Sequence, residues 1–272
     1  METILLNQQN LADWQKKASP NVMALGCFDG LHLGHCEVIN TAIQKAKERQ
    51  VPLSVMSFFP HPKTVISKGK VHVNYLTPLA EKEEKLRKMG VDTFYIVEFN
   101  QEFAGLSPEQ FVLDYLNGLG VFHAVAGFDF SYGSYGAGHL DRLKQDSGGR
   151  IDVTKVAKVE LRGEKISSTC IRERLLKGKV AELPEFIGRF YETQGEWNGE
   201  TFTLYPYYTI PGPGRYEVTL KNDSGGSVHR EVIVLSDGIT IKCRDEIPLF
   251  LKGKLSIVWQ KGIVESRKLR IS

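Results

Sequence analysis

The chain has 272 residues, of which 42% are hydrophobic and 25% charged, with a formal net charge of +3. That length suits two domains, the ordinary composition excludes a disordered or fibrous chain, and so small a positive charge gives little support to nucleic-acid binding. Cys27, Cys36, Cys170 and Cys243 form no CxxC pair and no zinc spacing, which points to free thiols in a reducing compartment.

In chain order, the apolar run Val22 to Leu25 reads as a strand. It leads into Gly26-Cys27-Phe28-Asp29-Gly30-Leu31-His32-Leu33-Gly34-His35, a tight turn, and then into a helix near 34–50 with Val38, Ile39, Ala42, Ile43 and Ala46 on one face. Leu53 to Phe59 is a second strand, ended by Pro60-His61-Pro62. Thr77-Pro78 predicts a helix start, with Gly90 as the stop. The charged run Glu81 to Lys88 reads as the solvated face of that helix, carrying i,i+4 pairs and no function. Phe94 to Val97 is a short strand, and Ser107-Pro108-Glu109-Gln110 predicts a capping box on a helix ending near Gly118. A strand at Phe122 to Ala126, a loop from Gly127 to Gly138, a strand at Ile151 to Val159, and helices at Thr169 to Lys177 and Val180 to Ile187 complete this part.

The βαβα order predicts a parallel sheet with helices on both faces, and ligands bind such sheets at the carboxyl ends of strands where the chain order reverses. After about residue 189 the texture changes to short alternating runs at Thr201–Tyr205, Arg215–Leu220, Val228–Leu235, Ile239–Cys243 and Lys254–Gln260, separated by glycine-rich turns. This predicts an α/β domain over residues 1–188 followed by a small antiparallel β-barrel over 189–272. No segment reaches 18 consecutive apolar residues and Met1 to Ser19 lacks the apolar core of a secretory signal, so the expectation is a cytoplasmic protein with no membrane partner.

Four stretches carry candidate chemistry. His32 and His35 lie i,i+3 at the start of a helix, where backbone N–H groups and the helix dipole favour a phosphate chain such as that of ATP. Ile166-Ser167-Ser168-Thr169-Cys170-Ile171-Arg172 offers hydroxyls that cap a helix or bind phosphate, and an arginine able to fork onto phosphate oxygens. Gly127-Phe128-Asp129-Phe130-Ser131-Tyr132-Gly133 sets an aspartate in a loop open to ribose hydroxyls or an adenine amine. Phe58-Phe59-Pro60-His61-Pro62 presents flat apolar surface suited to a planar ring. No carboxylate is placed to complete a metal site with the two imidazoles, so no metal ligands are expected from the protein.

With these stretches in their order, the chain resembles the bacterial bifunctional riboflavin kinase/FMN adenylyltransferase family, that is, the FAD synthetases. The resemblance covers the whole first domain and continues weakly into the barrel. It implies a Rossmann-like nucleotidyltransferase domain, ATP with Mg²⁺ and FMN as substrates, and FAD and pyrophosphate as products. Carried over by motif, His32 and His35 contact the ATP phosphates and, with Arg172, form the catalytic set. Gly26, Phe28, Asp29, Gly30 and Gly34 belong to the same ATP-binding stretch. Ser168, Thr169 and Arg172 hold the phosphate chain, Gly127 and Asp129 lie in the nucleotide pocket, and Phe58, Pro60 and His61 lie on the flavin side. Phe59 departs from the family pattern, which often has an acidic residue before Pro-His-Pro.

The larger departure is in the barrel. The family's kinase domain has a loop ending in Gly-Phe-Pro-Thr-Ala-Asn, and the nearest stretch here is Leu204-Tyr205-Pro206-Tyr207-Tyr208-Thr209. Glu231 stands near the expected place of the family's catalytic glutamate. The expectation is therefore a kinase-like barrel without kinase activity. Two alternatives accompany it: a nucleotidyltransferase with another phosphate acceptor, and a non-catalytic flavin- or nucleotide-binding regulator. The oligomeric state, monomer or weak oligomer, is left open.

Overall fold

The computed structural model describes residues 1–198 and 202–263. The chain divides into two compact units, one of residues 1–73 with 79–160 and one of residues 74–78 with the chain from Leu161 onward. Residues 161–188 thus cluster with the barrel.

The first unit is built on a six-stranded sheet of β1 (Glu2–Leu6), β2 (Asn21–Leu25), β3 (Leu53–Phe59), β4 (Thr93–Glu98), β5 (Val121–Gly127) and β8 (Asp152–Val156), in the order β1-β4-β3-β2-β5-β8. Every pairing is parallel. All five residues of β2 are buried, as a strand covered on both faces requires. Val22 and Ala24 face one core with Val38, Ile39 and Ala42 of α2 (Leu33–Arg49) and Leu86. Met23 and Leu25 face another with Phe103, Phe111 and Leu140. Each large side chain enclosed there contributes about 1.5–3 kcal/mol. From β2 the chain passes to β3 and β4 on one side, and returns to β5 on the other. The topological reversal therefore lies between β2 and β5.

The sequence-predicted strands at 22–25, 53–59, 94–97 and 122–126 all form, as does the capping box of Ser107 and Gln110 at the start of α6 (Pro108–Phe111). The run at 22–25 is the second strand, because β1 and α1 (Leu11–Lys17) precede it. The strand predicted to Val159 ends at Val156. Short helices α3 (Pro62–Ile66) and α5 (Gln101–Ala104) follow β3 and β4, and α4 covers Leu79–Lys88. A two-residue hairpin of β6 (Ser131–Tyr132) with β7 (Gly138–His139) follows β5 and leads into α7 (Leu140–Asp146).

After the two-residue strands β9 (Glu160–Leu161) and β10 (Glu164–Lys165), the second unit holds α8 (Ser168–Leu176), and a 3₁₀ turn and α9 (Pro184–Ile187) where one helix over 180–187 was predicted. Strands β11 (Tyr191–Trp197), β12 (Phe202–Leu204), β13 (Gly214–Lys221), β14 (Ser227–Val234), β15 (Ile241–Cys243) and β16 (Gly253–Ile263) close into a barrel in the order β11-β12-β15-β14-β13-β16. Closure leaves no open sheet edge. Thr201, the first residue of the run predicted over Thr201–Tyr205, lies outside the described residues.

Candidate active site

Three of the four candidate stretches leave the carboxyl ends of adjacent strands. Residues 26–35 follow β2, residues 58–62 end β3, and residues 127–133 follow β5. Strands are spaced about 4.8 Å apart, so these exits span roughly 10 Å along the sheet edge. The fourth stretch, residues 166–172, belongs to the second unit.

The turn after β2 is shaped by left-handed backbone at Phe28 (φ 48°), Gly30 (φ 92°) and Leu31 (φ 42°). Phe28 and Leu31 are 1% and 2% exposed, so apolar packing holds two residues in a conformation that only glycine adopts without strain. The Phe28 ring is therefore core. It packs within the predicted ATP-binding stretch rather than projecting from it. Asp29 is also enclosed, at 2% exposure.

His32 is the N-cap of α2: its Nδ1 accepts the backbone N–H of His35 at 3.2 Å. The neutral ring then carries its proton on Nε2, the donor form that a phosphate oxygen needs. The imidazoles of His32 and His35 stack with centroids 3.7 Å apart, and the Phe28 ring meets His35 edge-on at 5.4 Å. The first-turn amides of Leu33 and Gly34 have no intrahelical acceptor by helix geometry. Two imidazoles and a helix start thus share one place, as the i,i+3 spacing predicts. The capping role of His32 was not legible from it.

On the β3 side, Phe58 packs on Phe99 and Phe103, and His61 caps α3 by accepting the Lys63 N–H on Nδ1 at 3.1 Å. On the β5 side, Phe130 N–H donates to the Gly127 carbonyl at 2.9 Å, closing a turn that leaves Phe128 and Asp129 exposed. Gly133 ends this loop at φ +73°, where a Cβ would fall 2.7 Å from the Pro108 nitrogen, so no other residue fits. Tyr132 donates to Asp146 at 2.6 Å, and burial together with that carboxylate pushes its phenol far above the ordinary range.

The prediction for 81–88 needs correction. Glu83–Arg87, Glu84–Lys88 and Glu81–Lys85 form the expected i,i+4 pairs. Lys82, however, is 2% exposed and reaches the Cys27 carbonyl at 2.7 Å and Ser57 Oγ at 3.3 Å. Its signal was present: positions 79, 82 and 86 lie on one helix face, and Leu86 is wholly buried.

In the second unit, Ser167 caps α8 by accepting the Cys170 N–H at 3.2 Å, which puts Ser168 and Thr169 in the first turn. The Arg172 guanidinium lies 3.2 and 3.4 Å from the Asn74 carbonyl. Thr209 Oγ1 donates to the same carbonyl at 2.9 Å, and residues 75 and 208 form a parallel bridge. Glu231 is ion-paired with Arg215 at 2.6 Å and with Arg244 at 3.4 Å.

The sequence pattern of FAD synthetases matches residues 14–170. The chain belongs to the FAD synthetase family. A bifunctional riboflavin kinase/FMN adenylyltransferase of Listeria monocytogenes is 39% identical over 254 residues, covering 89% of this chain and 80% of its own. That of Bacillus subtilis is 39% identical over 230 residues, covering 80% and 72%. An FAD synthetase of L. monocytogenes is 35% identical over 212 residues, covering 77% and 84%. A crystal structure titled macrolide-efflux protein, from Streptococcus pneumoniae, superposes with a TM-score of 0.83 at 26% identity, covering 99% of this chain and 93% of that one. Among the described residues no helix here is long and apolar enough to cross a membrane. Among the described residues no group of three or more His, Cys, Asp or Glu is arranged to hold a metal.

Proposed function

We propose that this chain makes FAD by transferring AMP from ATP to FMN, with His32 and His35 at the reacting phosphates. A phosphate oxygen of FMN attacks the α-phosphorus of ATP in line. A new P–O–P bond forms, the α-to-β bridging bond breaks, and pyrophosphate leaves. The nucleophile is largely ionised at neutral pH, since a phosphomonoester has a second pKa of about 6. The protein's task is therefore positioning and charge stabilisation rather than proton abstraction.

The observation that carries this reading is His32 itself. Its Nδ1 is committed to capping α2, which holds the ring at a switch point where phosphate is favoured. His35, stacked upon it, adds a second donor. Mg²⁺ would enter as the ATP complex, held by phosphates and water and needing few protein ligands. Gly127 and Asp129 are assigned to the nucleotide, and Phe58, Pro60 and His61 to the flavin. Ser168, Thr169 and Arg172 are assigned to the phosphate chain, which keeps the functional boundary at 188/189. A cytoplasmic location fits these substrates.

The barrel is proposed to lack kinase activity, leaving a single reaction. Two observations support this. Glu231 is tied to Arg215 and Arg244, and those cations hold its carboxyl below the usual range, which makes a poor base. The backbone of residues 207–209, near the family's phosphate loop, is spent on residues 74–75: Tyr75 N–H donates to Tyr207 O at 2.5 Å and Thr209 N–H to Tyr75 O at 2.8 Å.

The acceptor is tested by pyrophosphate release from Mg²⁺-ATP with FMN or with phosphopantetheine. Release with FMN alone is expected. Release with phosphopantetheine but not FMN would overturn the flavin assignment, and release with neither would favour a regulator.

A further inference from the structure

Lys82 is enclosed on every side, and the helix it comes from has no need of a buried cation. Its Nζ lies 2.7 Å from the Cys27 carbonyl oxygen and 3.3 Å from Ser57 Oγ. Ser57 Oγ itself donates to that same carbonyl at 2.9 Å. The carbonyl thus already has one neutral donor from β3, and the ammonium is a second. Burial pushes the Lys82 pKa below the ordinary lysine value, while the charges of Asp29 and Cys27 oppose that shift. An apolar side chain of similar length would fill the space without a desolvation penalty. A group retained against that penalty beside a binding loop is a candidate for function rather than for stability.

The carbonyl it grips is well placed for such a role. Cys27 immediately precedes Phe28, Gly30 and Leu31, the residues of the β2 turn with left-handed backbone. Strained backbone persists where its surroundings over-determine it. Fixing the Cys27 carbonyl from β3 and α4 together anchors the start of the turn, and the Nδ1 hydrogen bond from His35 to His32 anchors its end.

We propose that Lys82 is a positioning residue for adenylyl transfer: through the Cys27 carbonyl it sets the path of the 28–31 turn and hence where His32 presents its imidazole. This rests on the reading of His32 given above. Lys82 touches no substrate in this account.

The test compares wild type, Lys82→Met, Lys82→Arg and Ser57→Ala in FAD formation from FMN and Mg²⁺-ATP, with melting temperatures alongside. For Lys82→Met the expected result is an unchanged or higher Tm and a kcat lower by about 10²-fold, the scale of an ångström-sized misplacement. KM for ATP should change far less than kcat, and Lys82→Arg should recover part of the loss. Wild-type kcat with a lowered Tm would make Lys82 a structural brace and overturn the proposal. Should Lys82→Met not fold, Ser57→Ala decides: a lowered kcat in a folded variant supports the shared anchor, and wild-type kcat overturns it. Failure of the wild-type chain itself to form FAD would strike the underlying reading of the site instead.

Discussion

Two regions of the chain that correspond to the family's phosphate loops differ in condition. The turn after β2 keeps glycines at its bends, a capping histidine and a second imidazole stacked on it. The corresponding part of the barrel has tyrosines at 205, 207 and 208 and a glutamate closed off by two arginines. Both regions contain non-glycine residues with left-handed backbone, Leu31 at φ 42° and Tyr207 at φ 74°. In the first, the strain serves a turn whose end delivers His32. In the second, it bends a segment whose Tyr207 carbonyl and Thr209 amide are paired with Tyr75. On the proposed reading, the barrel keeps its fold without a catalytic loop, because strand pairing and core packing do not depend on one.

That contrast can be broken in several ways. The largest effect is expected from His32→Ala: turnover should fall by about 10²–10³-fold, the scale of losing one donor to developing charge. FMN affinity, measured by flavin fluorescence, should stay near wild type. Unchanged turnover would remove the first region's claim to chemistry. Next comes Gly133→Ala, whose Cβ would meet Pro108 backbone at 2.7 Å with φ at +73°. A loss of about 1–3 kcal/mol in denaturant unfolding is expected.

A smaller effect concerns pH. Lys82 has a folded-state pKa below its ordinary 10.5. In the window between the two values the unfolded chain binds a proton that the folded chain does not, so stability rises with pH there, and the charged form costs stability below it. The Tm advantage of Lys82→Met over wild type should therefore narrow as pH rises toward 10.5. A gap that widens would contradict the shift. The smallest effect is expected from Glu231→Gln, which should leave FAD formation from FMN within about twofold, as for a residue outside the reacting groups.

The parallel sheet and most of its strands were legible because fully buried strands such as β2 leave continuous apolar runs, here Val22 to Leu25, bounded by proline or glycine. Strand β1 and helix α1 were not: β1 is a sheet edge with Leu5 65% exposed, and α1 buries none of its residues, so neither leaves a clear period. In the site, the glycine–histidine string announced itself by composition. The anchoring of its turn did not, because Lys82 sits in a run of salt-bridging charges that differ from it only in which face they occupy. The burial of the Phe28 ring was equally hidden, since a motif position gives no sign of whether a ring lies in the core or at the surface.

One of the two regions is proposed to be catalytic and the other not. Incubating the protein with Mg²⁺-ATP and either riboflavin or FMN, and separating the flavin products, tests this proposal directly. FAD from FMN, with riboflavin unchanged, is the predicted result. FMN or FAD appearing from riboflavin would show a working kinase site in the barrel and contradict the account.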